Sequence, residues 1–351
     1  MRSSLNLLSI ILISSFVFAQ NEVNVEQYGN TITSNELKEH LYIYASDKFQ
    51  GREAGTKGET IAINYLKDEY KKIGIKGGMK NGNYFMPFKT YVSREQKYIY
   101  ANNVLAYIEG ETIPHELIII TSHLDHIGVE KNGFVNNGAD DDGSGTTAML
   151  EIAEAFQFAI KRGIRPKRSI LFLHVSAEEK GLLGSEYYSK NPVYPLNNTI
   201  ANLNIDMIGR IDEIHKKNPE YIYIIGSDKL SQDLHNINEN MNEKYVNLSL
   251  DYRYNDPTTL VYEFGRWVEN NYYYRSDHLH FVNNNIPAIF YFNGTHEDYH
   301  KPSDTPDKIK YKLLEQRTKL IFYTAWELAN RVNRIRLNWL EKINFLSNWV
   351  F

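Results

Sequence analysis

Five short acidic or histidine-bearing segments contain the residues best suited to chemistry, and each follows or flanks a predicted strand. The segments are SHLDHIG (122–128), GADDDGSG (138–145), AEEKG (177–181), NIDMIGR (204–210) and EDYHKPSD (297–304). Imidazoles and carboxylates are the ligands that zinc uses when thiolates are absent, and this chain has no cysteine. The residue types therefore indicate a metal centre built from nitrogen and oxygen donors.

One donor from each segment gives five candidate metal ligands: His123, Asp141, Glu179, Asp206 and His300. Five ligands are too many for one tetrahedral zinc, but they suit two metals that share a bridging carboxylate. Two-metal sites of this kind activate water against amide and ester bonds. The adjacent Glu178 and Glu179 would then divide the work, one binding metal and the other accepting a proton. Composition alone does not tell these two glutamates apart.

The segments can meet because buried strands precede them. Short apolar runs predict strands at 116–123, 168–176, 199–205, 221–226 and 287–292, and residues 84–108 hold two or three more. Amphipathic periodicity predicts helices at 35–49, with Ser34 as N-cap, and at 59–73, 146–160, 229–244 and 310–333. This alternation predicts a single α/β domain with three layers, a mostly parallel, doubly wound sheet flanked by helices. Ligands bind at the carboxyl ends of such strands, so the five segments should converge on one crevice.

The ends of the chain carry separate predictions. Arg2 precedes an apolar stretch that ends in a small-x-small pattern at Ala19, which is typical of a signal peptide over residues 1–19. The stretch is shorter than the roughly 20 apolar residues of a membrane span. We therefore expect a mature chain that begins at Gln20, lacks a membrane segment, and is exported to the periplasm or out of the cell. Residues 20–335 would form the catalytic domain, with 20–80 as a helical lead-in, and 336–351 a short apolar tail.

Composition excludes several classes of protein. Hydrophobic residues make up 42% and charged residues 23%, which is ordinary for a soluble globular protein and excludes a disordered or disulfide-scaffold chain. The net charge of −4 leaves no basic surplus to neutralise phosphates, so we expect no nucleic-acid partner. Nothing in the sequence predicts an oligomeric state.

The ordered segments SHLDHIG, GADDDGSGT, AEEKGLLGS, NIDMIGR and YHKPSDT resemble the di-zinc aminopeptidases of metallopeptidase family twenty-eight. That family includes secreted bacterial leucyl aminopeptidases, glutamate carboxypeptidases and, more distantly, glutaminyl cyclases. The resemblance covers about residues 35–333 and implies a metallo-exopeptidase, a secreted aminopeptidase that removes N-terminal residues from peptides with water activated by two zinc ions. The alternatives are a carboxypeptidase or dipeptidase, a glutaminyl cyclase, or an inactive binding module on the same fold.

The resemblance also implies which residue binds which metal. His123 and Asp206 would bind one zinc, and Glu179 and His300 the other. Asp141, the middle residue of the Asp triplet, would bridge the two ions.

Further roles near the metals follow from the same resemblance. Glu178 would be the general base, and Asp125 would hydrogen-bond the neighbouring metal-binding imidazole and fix its tautomer. Tyr299 would stabilise an oxyanion, and Asp277 would lie near the pocket. His126 is left open between a pocket wall and the surface.

Two features keep other interpretations in view. Residues 296–300 spell HEDYH, which matches the single-zinc H-E-x-x-H motif, but that motif works only on a helix. Here it follows a predicted strand and precedes Pro302, so we expect a turn. A carboxypeptidase would need arginine to bind the terminal carboxylate of its substrate, and Arg253, Arg266 and Arg275 are candidates.

Overall fold

The computed structural model describes residues 23–263 and 266–338. The predicted signal peptide and most of the predicted tail lie outside these ranges. The helices within them are α1 (Glu26–Gly29), α2 (Ser34–Tyr44), α3 (Lys57–Ile73), α4 (Gly145–Lys161), α5 (Leu183–Lys190), α6 (Gln232–Tyr245), α7 (His278–Val282) and α8 (Tyr311–Asn330). The strands are β1 (Lys76–Gly77), β2 (Phe85–Val92), β3 (Lys97–Ile108), β4 (Ile113–His123), β5 (Arg168–Val175), β6 (Thr199–Ile205), β7 (Tyr221–Ile225), β8 (Ser249–Asp251), β9 (Leu260–Glu263), β10 (Arg266–Glu269) and β11 (Ala288–Phe292).

One mixed sheet organises the fold. Its strands run in the order β3-β5-β4-β6-β11-β7-β8, with β1 and β2 paired to the outer side of β3. The central strands β5, β4, β6 and β11 are mutually parallel, whereas β3 and β7 join them in antiparallel orientation. The predicted α/β class with a mostly parallel sheet is therefore confirmed, with an antiparallel pairing on each side of the parallel core and β8 parallel to β7 at one edge.

The sheet is covered on both faces, which explains the runs of consecutive apolar residues in its central strands. Successive side chains of a strand point to opposite faces. Ile118 and Ile120 of β4 join the large core that includes residues of α2, α3, α4 and α8. Leu117 and Ile119 face the other way and pack with Tyr188 of α5. Within the described part of the chain, no helix has the length and apolar character required to cross a bilayer.

The predicted helices form with small shifts at their ends. Helix α2 begins at Ser34, but Thr33 is its N-cap, because the Thr33 side chain accepts from the Glu36 N–H. The helix also ends at Tyr44 rather than at residue 49. Helix α3 ends at Ile73 and is followed by Gly74, whose φ of 91° gives the left-handed termination that glycine favours. The sequence patterns missed α5, α7 and the β9–β10 hairpin, because four- to eight-residue elements give too little periodicity to recognise.

Arg52 joins the helical lead-in to the first predicted site segment. Its guanidinium is fully buried. It donates to the backbone carbonyls of Leu124 at 3.2 Å, Asn137 at 2.6 Å and Gly138 at 2.8 Å, and more weakly to Tyr44 at 3.3 Å. One buried cation thus satisfies carbonyls from two loops and from the end of α2, which fixes the backbone beside the site.

Candidate metal centre

A cavity opens at the carboxyl ends of β4, β5, β6 and β11. All five predicted ligands line it, together with Glu178 and Tyr299. Its remaining walls are mainly apolar and aromatic, and they are formed by Met207, Tyr272, Arg275, Phe290, Phe292 and Thr295. The parallel strands therefore bring the five segments to one crevice, as the sequence pattern predicts.

The first group of donors surrounds His123, the last residue of β4. His123 Nε2 lies 3.2 Å from Asp141 Oδ1 and 3.5 Å from Asp206 Oδ1. Its Nδ1 lies 3.1 Å from the carbonyl oxygen of Asp125, which places the proton on Nδ1 and leaves Nε2 free to bind a cation. The second oxygen of Asp206 accepts from the Ser276 hydroxyl at 2.6 Å. These hydrogen bonds fix the donors of the first group in position.

The second group uses the other oxygen of Asp141. His300 Nε2 lies 3.0 Å from Asp141 Oδ2 and 3.2 Å from Glu179 Oε2. The His300 side chain is 37% exposed, against 1% for His123. Asp141 therefore offers one oxygen to each group, which is the geometry of a bridging carboxylate.

Two oxygen atoms of the candidate ligands lack partners that a bound cation would supply. Asp141 Oδ2 and Glu179 Oε1 are buried, yet neither has a hydrogen-bond partner among the described residues. Leaving such an oxygen unpartnered costs about 1–3 kcal/mol, more for a charged group. Nitrogen and carboxylate oxygen donors without thiolate match zinc, and two such groups could hold two ions. The residues present therefore suit the metal that their types predict.

Asp142, the last residue of the Asp triplet, holds the backbone around the site by hydrogen bonds. Asp142 accepts the backbone N–H groups of His123 at 3.2 Å, Gly145 at 3.0 Å and Met207 at 3.0 Å. One carboxylate thus connects the end of β4, the start of α4 and the end of β6. Of the three aspartates, only Asp141 lines the cavity.

The H-E-x-x-H segment is not a helix. Residues 297–300 form a turn, as its flanking residues predict. His296 Nε2 lies 3.1 Å from Asp140 Oδ2, behind the cavity wall, whereas His300 joins Asp141 and Glu179. The two histidines of the motif therefore contact different carboxylates and do not share one metal.

The centre has more negative charge than its own cations can balance. Burial raises the pKa of Asp125 to about 8. Burial also raises the pKa of Glu178 well above its usual value, and the nearby carboxylate of Glu179 adds to this shift. In His300, burial lowers the pKa, but the contacts with Asp141 and Glu179 outweigh it and raise the value to about 10. Without metal, this imidazole therefore takes a proton, which a cation would have to displace.

Asp125 lies beside His123 but contacts it differently from the expected arrangement. The hydrogen bond to His123 Nδ1 comes from the Asp125 carbonyl, and the nearest carboxylate oxygen is 3.8 Å away. That oxygen instead accepts the backbone N–H of Glu178 at 3.1 Å. Asp125 therefore fixes both the imidazole and the loop that carries the two glutamates.

Tyr299 and Asp277 occupy different positions relative to the cavity. Tyr299 lines it, stacks on His300 with ring centroids 3.9 Å apart, and has its hydroxyl 3.4 Å from Arg275 Nη2. Asp277 lies behind the wall, where it accepts from the Ser185 hydroxyl at 2.5 Å. Burial raises the pKa of Asp277 to about 6.

Several residues around the centre were not assigned from the sequence. His126 is fully buried rather than on the surface, and its Nδ1 lies 2.9 Å from Glu179 Oε1. Ser276, which contacts Asp206, gave no signal because an isolated serine in a loop has no informative spacing. Of the three candidate arginines, Arg275 alone lines this cavity.

A protein-family model and a curated relative both match this chain. The model of Peptidase family M28 matches residues 103–325. A probable aminopeptidase of Saccharomyces cerevisiae is 26% identical over 245 residues, which cover 65% of this chain and 57% of the yeast protein. The chain thus spans less than two thirds of the length of this curated relative.

Solved structures with the same fold cover more of the chain. A zinc aminopeptidase from Bacillus subtilis superposes with a TM-score of 0.63 and 15% identity, over 87% of this chain and 98% of that protein. A glutaminyl cyclase from Bacteroides thetaiotaomicron superposes with a TM-score of 0.62 and 18% identity, over 84% and 98%. At these identities the likeness establishes the fold alone, and both activities occur on it.

Proposed function

Because the chain belongs to peptidase family M28, we propose that it is an exported aminopeptidase that uses two zinc ions to hydrolyse the first peptide bond of its substrates. One observation carries the proposal. Asp141 lies between two donor groups, with one oxygen 3.2 Å from His123 and the other 3.0 Å from His300, and Glu178 lines the same cavity. A bridged pair of sites beside a free carboxylate is what metal-assisted amide hydrolysis requires.

Each zinc would be held by three residues, one of them shared. His123, Asp206 and Asp141 would hold the first ion, and Glu179, His300 and Asp141 the second. When bound, zinc supplies Lewis-acid activation of a water molecule and of the substrate carbonyl.

Glu178 is the group that would move the proton. It would accept a proton from the attacking water and return it to the leaving amine. Burial raises the pKa of this carboxylate above its usual value, which makes it a stronger base than an exposed glutamate. The Asp125 carboxylate accepts the Glu178 backbone N–H at 3.1 Å and so holds this loop in place.

The cavity walls suit the N-terminal residue of a peptide. Excess carboxylate charge favours a free ammonium group, whereas Met207, Phe290 and Phe292 offer an apolar surface for the first side chain. Tyr299 would donate to the oxygen that becomes negative, from its place beside Arg275.

The test is a panel of aminoacyl substrates and their N-acetylated counterparts, assayed with and without chelator. Aminoacyl substrates should be cleaved, and their N-acetylated counterparts should lose most turnover. Chelation should abolish the activity and zinc should restore it, with elemental analysis near two metals per chain. Equal cleavage of N-blocked peptides would overturn the aminopeptidase assignment.

Arg275 favours one alternative, a carboxypeptidase or dipeptidase. It lines the cavity, where a guanidinium could pair with a substrate's terminal carboxylate. Amidation of the substrate's C-terminus separates the two proposals, because only the carboxypeptidase would lose activity. A glutaminyl cyclase would instead release ammonia from N-terminal glutamine without cleaving a peptide bond.

Export is a proposal that rests on the N-terminal residues. The signal-peptide pattern over residues 1–19 predicts cleavage before Gln20. N-terminal sequencing of the protein recovered from outside the cytoplasm should therefore begin at Gln20. An intact Met1 on the active protein would contradict this.

A further inference from the structure

We propose that His126 is a fourth protein ligand of the second metal, in addition to Glu179, His300 and Asp141. The inference rests on the proposed function, because that function supplies the metal. It gives the two ions unequal protein shells, with four residues around the second and three around the first.

The imidazole of His126 points into the second donor group. Its Nδ1 lies 2.9 Å from Glu179 Oε1 and 3.7 Å from Asp141 Oδ2. Donor atoms that share one tetrahedral zinc are about 3.3–3.5 Å apart, since each lies about 2.0–2.2 Å from the ion. The separations of 2.9 and 3.7 Å lie on either side of this spacing, and ligand atoms of His126, Asp141 and Glu179 all lie within 4.8 Å of one another.

The contact between His126 and Glu179 is not a well-formed hydrogen bond. Although the atoms are 2.9 Å apart, neither ring nitrogen of His126 has a hydrogen-bond partner in the described ranges. Glu179 Oε1 likewise has none. Two ligand atoms that bind the same cation both point at that cation, so they lie close together without the alignment of a hydrogen bond.

Burial makes an idle imidazole at this position costly. His126 is 0% exposed, so its nitrogens cannot be satisfied by bulk water. The ring is also held firmly: a Cβ added at Gly138 would lie 2.5 Å from His126 Cγ. Gly138 adopts a φ of +53°, which other side chains rarely adopt. The backbone therefore approaches the ring closely and keeps Nδ1 directed at the two carboxylates.

The two metal sites should consequently differ in affinity. Oε1 of Glu179 faces His126 while Oε2 faces His300, so both oxygens of this carboxylate adjoin an imidazole. The first site has a single imidazole, His123. We therefore expect the second metal to be retained longer on dialysis against a chelator.

The experiment uses metal-free full-length protein, titrated with Zn²⁺ by calorimetry and with Co²⁺ by visible absorption. His126→Phe removes the donor and keeps a ring of similar shape. The affinity of this variant for one of the two metals should fall at least tenfold, whereas its affinity for the other metal should stay within about twofold of the parent's. His40→Phe is the control, since it removes an imidazole that contacts Tyr65 far from the cavity and should change neither affinity.

Two further variants separate a ligand from a hydrogen-bond donor. Aspartate and asparagine place an atom where Nδ1 of histidine lies. His126→Asp should restore much of the lost affinity, because its oxygen can bind metal. His126→Asn could still donate to Glu179 but is a poor ligand, so it should restore little. The reverse order would show that His126 only positions Glu179, and would overturn the inference.

The outcomes also separate this inference from the proposed function. If the parent binds two metals and His126→Phe binds them equally well, the ligand role is wrong and the proposed function stands. If the parent binds no metal, the proposed function fails. If the variants do not fold, a crystal structure of the zinc-loaded parent decides. A Zn–Nδ1 distance of about 2.0–2.1 Å supports the inference, and a distance longer than this coordination range to both zinc ions overturns it.

Discussion

Two glutamates that are largely shielded from solvent show how differently this chain treats negative charge. Glu315 of α8 is 7% exposed and accepts from the Ser34 backbone N–H at 3.0 Å, Lys312 at 2.9 Å and Lys319 at 2.7 Å. Burial would raise its pKa, but these contacts outweigh it and lower the value to about 2. The charge of Glu315 is therefore balanced entirely from within the chain.

Glu178 lies among groups of its own sign. Burial raises its pKa well above the usual range, and of its charged neighbours His123 opposes that shift while Glu179 and Asp206 add to it. A shielded carboxylate can therefore either be balanced by cations of the chain, and so link two elements of the fold, or stay unbalanced until an external cation binds. At the contact of Ser34 with Glu315, called the α2–α8 seam below, the chain supplies the positive charge through Lys312 and Lys319. At the cavity, the positive charge would have to come from bound metal ions.

The largest expected effect separates the two cavity glutamates. Glu178→Gln should retain both metals, since it removes no donor, but its kcat should fall by about 10²–10⁴-fold because the proton acceptor is lost. Glu179→Gln should lose activity through weaker metal binding. Metal content and kcat are measured for both on one aminoacyl substrate. If Glu178→Gln loses metal while Glu179→Gln keeps it, the roles are reversed.

Metal should stabilise the cavity region and leave the seam unaffected. Zinc at one hundred times its dissociation constant adds about 2.7 kcal/mol per site to the free energy of unfolding. Urea unfolding with zinc and with chelator measures this increment in the parent and in Glu315→Gln. The two increments should be equal, because Glu315 lies in another region. No increment in the parent would contradict a metal site.

Removing the charge at the seam should destabilise the fold. Glu315→Gln weakens hydrogen bonds from two lysines and one helix N-terminus, which costs about 1–2 kcal/mol at pH 7. The folded pKa of about 2 lies below the ordinary 4.5. The stabilisation is therefore fully present above pH 4.5 and is lost as pH falls through 2, so the two proteins should converge in acid. Glu39→Gln on the exposed face of α2 is the control, and a loss of the same size there would contradict this explanation.

The smallest effect has the opposite sign at the cavity. In metal-free protein, Glu178→Gln should raise the free energy of unfolding by up to about 1 kcal/mol, because it removes a charge repelled by its neighbours. A folded pKa above 4.5 means that the ionised form destabilises the fold increasingly as pH rises from that value. The gain should thus grow as the pH rises above 4.5 in chelator. Destabilisation by Glu178→Gln would show that the carboxylates are balanced internally.

The strands and the segments that follow them could be predicted from local sequence patterns. Residues 117–120 are apolar at every position, and only a strand covered on both faces buries both sets of side chains. The order of the five segments then brings His123, Asp141, Glu179, Asp206 and His300 to one edge of the sheet, because parallel strands end on the same side.

The contacts between individual atoms at that edge could not be predicted in the same way. Sequence spacing could not show that the carbonyl of Asp125, rather than its carboxylate, contacts His123, or that Ser276 contacts Asp206. Nor could it place His126 inside the second donor group. Strand patterns arise from local periodicity, whereas side-chain directions in loops depend on contacts from distant parts of the chain. Arg52 holds the carbonyl of Leu124 from a position 72 residues earlier, and no pattern within either segment records that contact.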